Sequence, residues 1–263
     1  MFANAELVTV SDIHLRSQDD PRYVLLIQAI ESAIKQRPAC FALLGDIFDF
    51  YLGNQTYFRR KFAALVERLE ALAAAGTRVV FIEGNHEFEL RSAGWRGVEV
   101  VCETINERGL VWQSESGARI LLTHGDLFNA PRAYLAFRTL IKAKPTLMAA
   151  SFVPGMMMDA YALQHAKASR ARDPYRTLDD AAILGDARAF ARSKNVDHLI
   201  FGHFHRPWAV PINGGNQDQL VMCMDSWDVP NALIYDGKSF HRAFLGDNAH
   251  VVAVTPAKSG VQS

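Results

Sequence analysis

Short apolar runs alternate with longer amphipathic stretches through the first third of the chain. LVTV (7–10), FALL (41–44) and VVFI (79–82) have the length of buried strands. Between them, YVLLIQAIESAIKQ (23–36) and the stretch from Tyr57 to Ala75 carry apolar residues at helical spacing. This βαβαβ order predicts a mostly parallel sheet with helices on its faces. Beyond Gly84 the runs shorten to VEVV (98–101), LVW (110–112) and RILLT (119–123), which read as further strands of the same or a second sheet. From Pro131 to Ser193 no strand pattern is visible. The segment is rich in Ala, Leu and Met with Arg and Lys interspersed, and Pro145, Pro154 and Pro174 divide it into several helices. Strands resume with HLIF (198–201), WAVPI (208–212), LVMCM (220–224) and NALIY (231–235), separated by turn residues such as Asn213, Gly214 and Gly215. The expected fold class is α/β: one domain over residues 1–263, two sheets packed as a sandwich, and a helical insertion at about 131–193.

Composition narrows the function classes. With 263 residues and 49% hydrophobic content the chain can bury a sizeable core. Its 28 Lys and Arg balance 28 Asp and Glu, so it lacks the basic excess that a nucleic-acid partner calls for, and no nucleic acid is expected. Cys40, Cys102 and Cys223 are odd in number, scattered and mostly within apolar runs. They suggest buried thiols in a reducing, intracellular compartment. The start, MFANAELVTVSDIHL, carries no visible export signal. The longest uncharged stretch, Pro145 to Met158, falls short of the roughly 20 residues of a spanning helix and is broken by Pro154 and Gly155. Contact with a membrane surface stays open. The tail beyond about residue 247 has no role legible from its residues, and its polar end is expected to lack order.

The candidate chemistry follows the apolar runs. LVTV leads into Ser11, Asp12, Ile13 and His14; FALL into Gly45 and Asp46; VVFIE into Gly84, Asn85, His86 and Glu87. ILLT leads into His124, Gly125 and Asp126, and HLIF into Gly202, His203, Phe204 and His205. In a parallel sheet the loops at the carboxyl ends of the strands share one edge, so five loops would converge on one site. On extended chain, residues two apart point the same way, so Asp12 with His14, and His203 with His205, could each chelate one ion. Carboxylate, amide and imidazole together suit Mn, Fe or Zn, with Mn the first choice. Asp46, from a loop with no histidine beside it, is the natural bridge between two ions. Asp126 either orients His124 or is an ordinary loop carboxylate.

In order and spacing the motifs D-x-H, GD, GNHE, HGD and GHxH resemble the calcineurin-like metallophosphoesterase family over about residues 7 to 206. The resemblance implies a four-layer αββα sandwich and two divalent ions. One would be held by Asp12, His14, Asp46 and His205, the other by Asp46, Asn85, His124 and His203. It implies that His86 contacts the phosphate and protonates the leaving group, beside Asp46 and Asn85, while a metal-activated water attacks phosphorus. A narrower resemblance is to the UDP-2,3-diacylglucosamine pyrophosphatases of lipid A biosynthesis. It rests on GDIFDFYLG, on Phe137 and Arg138 after HGD, and on the position of the helical insertion, which in that group forms a lid over acyl chains. It implies a nucleotide-lipid substrate and a cytoplasmic enzyme peripheral on the inner face of the membrane.

The insertion offers two readings. Leu147, Met148, Phe152, Val153, Met156, Met157 and Met158 either line an acyl pocket and touch a bilayer, or pack the helices onto the body. Arg132, Arg138, Lys142, Lys144, Lys167, Arg170 and Arg172 either meet a pyrophosphate or an anionic surface, or form a solvated helix face. Two departures separate the chain from the narrower group: His86 and Glu87 stand where those enzymes commonly have Arg and Asp, and Arg132 lies near the position of their acidic residue beyond HGD. Another phosphodiester or a phosphomonoester is the alternative substrate. A non-catalytic protein-binding scaffold is the alternative class, disfavoured because all seven ligand positions are filled.

Overall fold

The structure, a computed structural model, describes residues 2–171, 179–213 and 218–257, without the side chains of residues 165–171. In chain order the elements are β1 (Leu7–Val10), α1 (Pro21–Gln36), β2 (Cys40–Leu43), β3 (Tyr51–Leu52), α2 (Thr56–Lys61), α3 (Ala63–Ala74), β4 (Arg78–Glu83), β5 (Glu87–Phe88), β6 (Val98–Cys102), β7 (Leu110–Gln113) and β8 (Arg119–Thr123). The helices α4 (Arg132–Ile141), α5 (Lys144–Ser151), α6 (Gly155–Ala171) and α7 (Asp180–Ser193) follow. Last come β9 (His198–Phe201), β10 (Ala209–Pro211), β11 (Leu220–Cys223), β12 (Asn231–Tyr235), β13 (Phe240–Phe244) and β14 (His250–Ala253).

Two sheets carry the body. One has the order β14-β13-β12-β1-β2-β4-β6, the other β10-β11-β9-β8-β7. β1, β2, β4 and β6 run parallel in the first, and β8, β9 and β11 in the second. Alternation along each strand divides its side chains between two layers. In β1, Leu7 faces the other sheet, beside Ile120, Leu122 and Ile200, whereas Val8 and Val10 face Leu26 and Ile30 of α1 and Leu65 and Leu69 of α3. Ile183, Leu184 and Ala187 of α7 cover the outer face of the second sheet against Leu121, Leu199 and Phe201. The result is the αββα arrangement. Asp20 starts α1 by accepting a hydrogen bond from Arg22 N–H at 3.0 Å, with Pro21 in the first turn.

Some elements depart from the pattern in the chain. The helix expected from Tyr57 to Ala75 is two, because Phe62 leaves helical geometry (φ −118°, ψ 22°) where its ring packs on Phe48 at 4.6 Å. Past residue 235 the chain adds β13 and then β14, whose four residues are all exposed at the edge of the larger sheet. Among the described residues no helix is long and apolar enough to cross a membrane.

Candidate metal centre

Every strand that precedes a predicted ligand ends at the same rim. Asp12 follows β1, Asp46 follows β2, Asn85 follows β4, His124 follows β8 and His203 follows β9. The turns are tight. Asp12, His14, Asp46, His203 and His205 all have positive φ, between 53° and 69°, a region few non-glycine residues adopt and one concentrated at functional sites. Gly84 and Gly202 make room for them, since a Cβ at Gly84 would strike the Asp46 carboxylate and one at Gly202 the Asp12 carboxylate.

Three groups of donor atoms gather, each within 4.8 Å: Asp12 with His14 and His205, Asp46 with His124 and His203, and His14 with Asp49 and His86. The geometry corrects one expectation. His203 and His205 do not lie on extended chain and do not share one group; the left-handed turn sends His203 toward Asp46 and His205 toward Asp12. His205 Nε2 is 3.3 Å from Asp12 Oδ1, and His203 N–H donates to both Asp12 oxygens at 3.0 Å. The Asp46 oxygens lie 3.6 Å from His124 Nε2 and 3.9 Å from His86 Nε2.

The donor set fits divalent cations. His124 Nδ1 donates to Leu44 O at 2.8 Å, which turns Nε2 toward Asn85 Oδ1 at 3.0 Å and Asp46 Oδ1. Two acceptor oxygens and one ring nitrogen converging there need a proton or a cation between them. The buried His14 Nδ1 has no hydrogen-bond partner. Burial holds His14 down to about 3 and His203 down to about 4, so both imidazoles are neutral and able to ligate. Burial works against ionising Asp46, but the imidazoles of His124, His86 and His14 outweigh it and keep the carboxylate far below its usual range. His124 is pushed up to about 9: burial opposes its charge, and Asp46, Asp126 and Asp12 together overcome that.

His86 is set apart by its partner. Its Nδ1 donates to Asp49 O at 2.7 Å, and its N–H to Asp46 Oδ1 at 3.0 Å. Burial lowers its pKa, but Asp46 and the Asp49 carbonyl prevail and the net shift is upward. With Nδ1 engaged, the ring presents Nε2 toward Asp46 and the cleft.

Residues beyond the predicted ligands hold this site, some of them, such as Glu83 and Glu103, not singled out by the chain alone. The Glu87 carboxylate, fully buried, accepts N–H bonds from Asp46 and Gly84 at 2.9 Å and Phe48 at 3.1 Å, tying the two loops together. Burial, then the neighbouring Asp46 charge, raises it to about 7. Glu103 accepts from Thr123 Oγ1 and from His124 N–H. Asp126 accepts hydrogen bonds from the Tyr134 hydroxyl at 2.8 Å and from Arg138 Nε at 2.5 Å, and so anchors α4 to the rim. Lys142 reaches Glu83 at 2.8 Å and the carbonyls of Gly84 and Glu87. Arg138, buried, and Lys142, half-buried, are thus engaged anchors, neither free for a phosphate nor part of a solvated face. Arg132 and Lys144 are exposed; Arg172 and the side chains of Lys167 and Arg170 lie outside the described residues. A hint of their shared role lies in spacing, since Tyr134, Arg138 and Lys142 recur every four residues along one helix stripe.

A cleft of about 680 Å³ opens from Asp49, Asn85 and His86 and is walled by Phe50, Phe88, Phe137, Val153, Met157 and Tyr161. The apolar set of the insertion divides. Leu147 and Met158 pack into the core cluster, Val153, Met157 and Met158 line the cleft, and Met148, Phe152 and Met156 face outward at 64%, 83% and 67% exposure.

The family model for calcineurin-like phosphoesterases matches residues 6–207. A UDP-2,3-diacylglucosamine hydrolase of Ralstonia nicotianae is 29% identical over 241 residues, covering 85% of this chain and 84% of that protein. One from Pseudomonas aeruginosa is 26% identical over 223 residues, covering 83% and 90%. A solved dimetal phosphatase of Danio rerio superposes with a TM-score of 0.45 at 14% identity, covering 96% of this chain and 100% of that one.

Proposed function

The chain belongs to the calcineurin-like phosphoesterase family, and we propose that it hydrolyses the phosphoanhydride bond of UDP-2,3-diacylglucosamine, releasing lipid X and UMP. As a member of that family it is a metal-dependent hydrolase. The observation that carries the substrate reading is the cleft: one space joins Asn85 and His86 to a wall of aromatic and methionine side chains, as a phosphate attached to acyl chains requires. The relatives that bear the hydrolase name support it.

Asp12, His14, Asp46 and His205 would hold one divalent ion and Asp46, Asn85, His124 and His203 the other, with Asp46 between them. The ions, manganese first and iron or zinc acceptable to the same donors, supply Lewis acidity toward phosphoryl oxygens and a lowered pKa for the attacking water. The chain does the rest. Leu44 O fixes which nitrogen His124 presents. Asn85 faces the phosphoryl group, and His86, held at Nδ1 by Asp49 O, gives the proton at Nε2 to the departing oxygen. The apolar wall keeps bulk water from the reacting bond. Outward-facing Met148, Phe152 and Met156 suit contact with the cytoplasmic face of the membrane that carries such a lipid.

The deciding experiment is manganese-dependent hydrolysis of UDP-2,3-diacylglucosamine beside a bis-aryl phosphodiester, with Asp46→Asn as the blank. Preferential release of UMP is the expected result. Turnover of the aryl ester alone would leave the phosphoesterase and remove the lipid; that second reading is favoured by His86 standing where the lipid-linked enzymes commonly carry Arg. No metal-dependent turnover of either would leave a scaffold.

A further inference from the structure

The wall of the cleft hangs on a partly buried ion pair. Asp159, on α6, is only 8% exposed. Its two oxygens take the Lys61 ammonium at 2.7 and 2.8 Å, and Tyr57 donates its hydroxyl to one of them at 2.9 Å. Both partners stand on α2, and Gly155 at the start of α6 lies so close to Tyr57 that a Cβ there would come within 2.6 Å of it. Gln55, one residue before α2, donates its amide to Ser151 O and Val153 O at 2.9 Å, holding the end of α5 as well. On α6 the residues flanking Asp159 in sequence, Met157 and Met158 before it and Tyr161 and Ala162 after it, line the cleft. At 3.6 residues per turn they occupy the stripe beside the one that Asp159 presents to α2.

The same stretch of chain carries the chemistry. Residues 46 to 61 begin with Asp46, continue through Asp49 and Phe50, which line the cleft beside His86, and end at Lys61. One continuous segment therefore sets both where the phosphate group sits and where the apolar wall stands. A partly buried ion pair of this kind adds little net stability, but its three hydrogen bonds tie α6 to α2 in one register.

We infer that Asp159, clasped by Lys61 and Tyr57, is a specificity-determining positioning residue: it fixes the distance from the phosphoryl site to the apolar wall and so selects phosphate esters bearing a long apolar chain. This rests on reading the cleft as the seat of a lipid-linked phosphate. Asp159 is not among the residues that line the cleft, so its removal affects binding of the chain and leaves the phosphate end alone.

The test measures binding, not turnover. Calorimetry on the manganese-loaded protein compares decylphosphonate with methylphosphonate for the wild type, Asp159→Asn, and the charge swap Lys61→Asp with Asp159→Lys. The expected outcome is a decylphosphonate Kd about tenfold weaker in Asp159→Asn, methylphosphonate unchanged, and recovery in the swap. Should Asp159→Asn fail to fold, Tyr57→Phe, which removes one donor, is expected to show the same selective loss at smaller size. Equal weakening for both ligands, or none for decylphosphonate, overturns the inference. Hydrolysis of a bis-aryl phosphodiester is followed in parallel. Its absence in the wild type would sink the proposed phosphoesterase while the two Kd values still decide the role of Asp159.

Discussion

The rim of the sheets and the helical insertion face each other across one cleft, and they are built on opposite plans. At the rim, polar side chains are held by backbone groups: Glu87 gathers three N–H groups, Leu44 O and Asp49 O each fix a histidine, and Asp12 takes the N–H of His203. In the insertion, large apolar side chains are exposed: Phe137, Leu140, Met148, Phe152, Met156, Met157 and Tyr161 are each between 57% and 83% accessible. A few polar contacts, buried at Arg138 and partly buried at Lys142 and Asp159, fasten it to the body. The rim is preorganised for charge, and the insertion keeps its apolar surface available for something other than its own core.

That contrast can be broken from the rim. Asp46→Asn keeps an acceptor for His86 N–H but removes the charge proposed to lie between two ions, so metal-dependent turnover is expected to fall on the order of 10³-fold, measured on an aryl phosphodiester with the fold checked by circular dichroism. Turnover within a few-fold of wild type would refute the assignment. On the insertion side, Arg138→Met leaves Asp126 buried without its cation and is expected to cost about 3 kcal/mol of stability, read from denaturant unfolding; a change below about 1 kcal/mol would mean that the anchor is not the one described.

Smaller effects sharpen the comparison. His86→Gln is expected to slow hydrolysis about 10²-fold for alkoxide leaving groups and far less for a nitrophenolate, which leaves without a proton. Equal slowing of both would argue against a proton donor at this position. Phe152→Ser, at the outermost point of the insertion, is expected to change stability by less than about 0.5 kcal/mol. A larger loss in thermal unfolding would mean that Phe152 packs within the fold after all.

The rim was largely legible in the chain because each ligand motif directly follows a short apolar run, and parallel strands send all such loops to one edge. What spacing alone left illegible was direction, although the family resemblance already assigned His203 and His205 to different ions. The left-handed turns at His203 and His205 send neighbours to different groups, where extended chain would have paired them. Glu87 reads as one more polar loop residue until Asp46, Phe48 and Gly84 are seen to converge on it, which no local pattern encodes. The insertion was legible as helix but not in its facing, because Met and Leu on a helix look the same whether they meet a core, a cleft or solvent. Nor did the chain announce β14, a short edge strand whose partner β13 was itself not foreseen.

The exposed apolar ridge also bears on how the protein behaves in bulk. Its formal net charge at pH 7 is zero and its isoelectric point lies near 7.1. Neutral buffer is thus the condition in which copies repel one another least, while the ridge offers each the same sticky face. Colloidal behaviour therefore turns on solvent choice: moving pH away from neutrality restores repulsion, and a mild detergent covers the ridge.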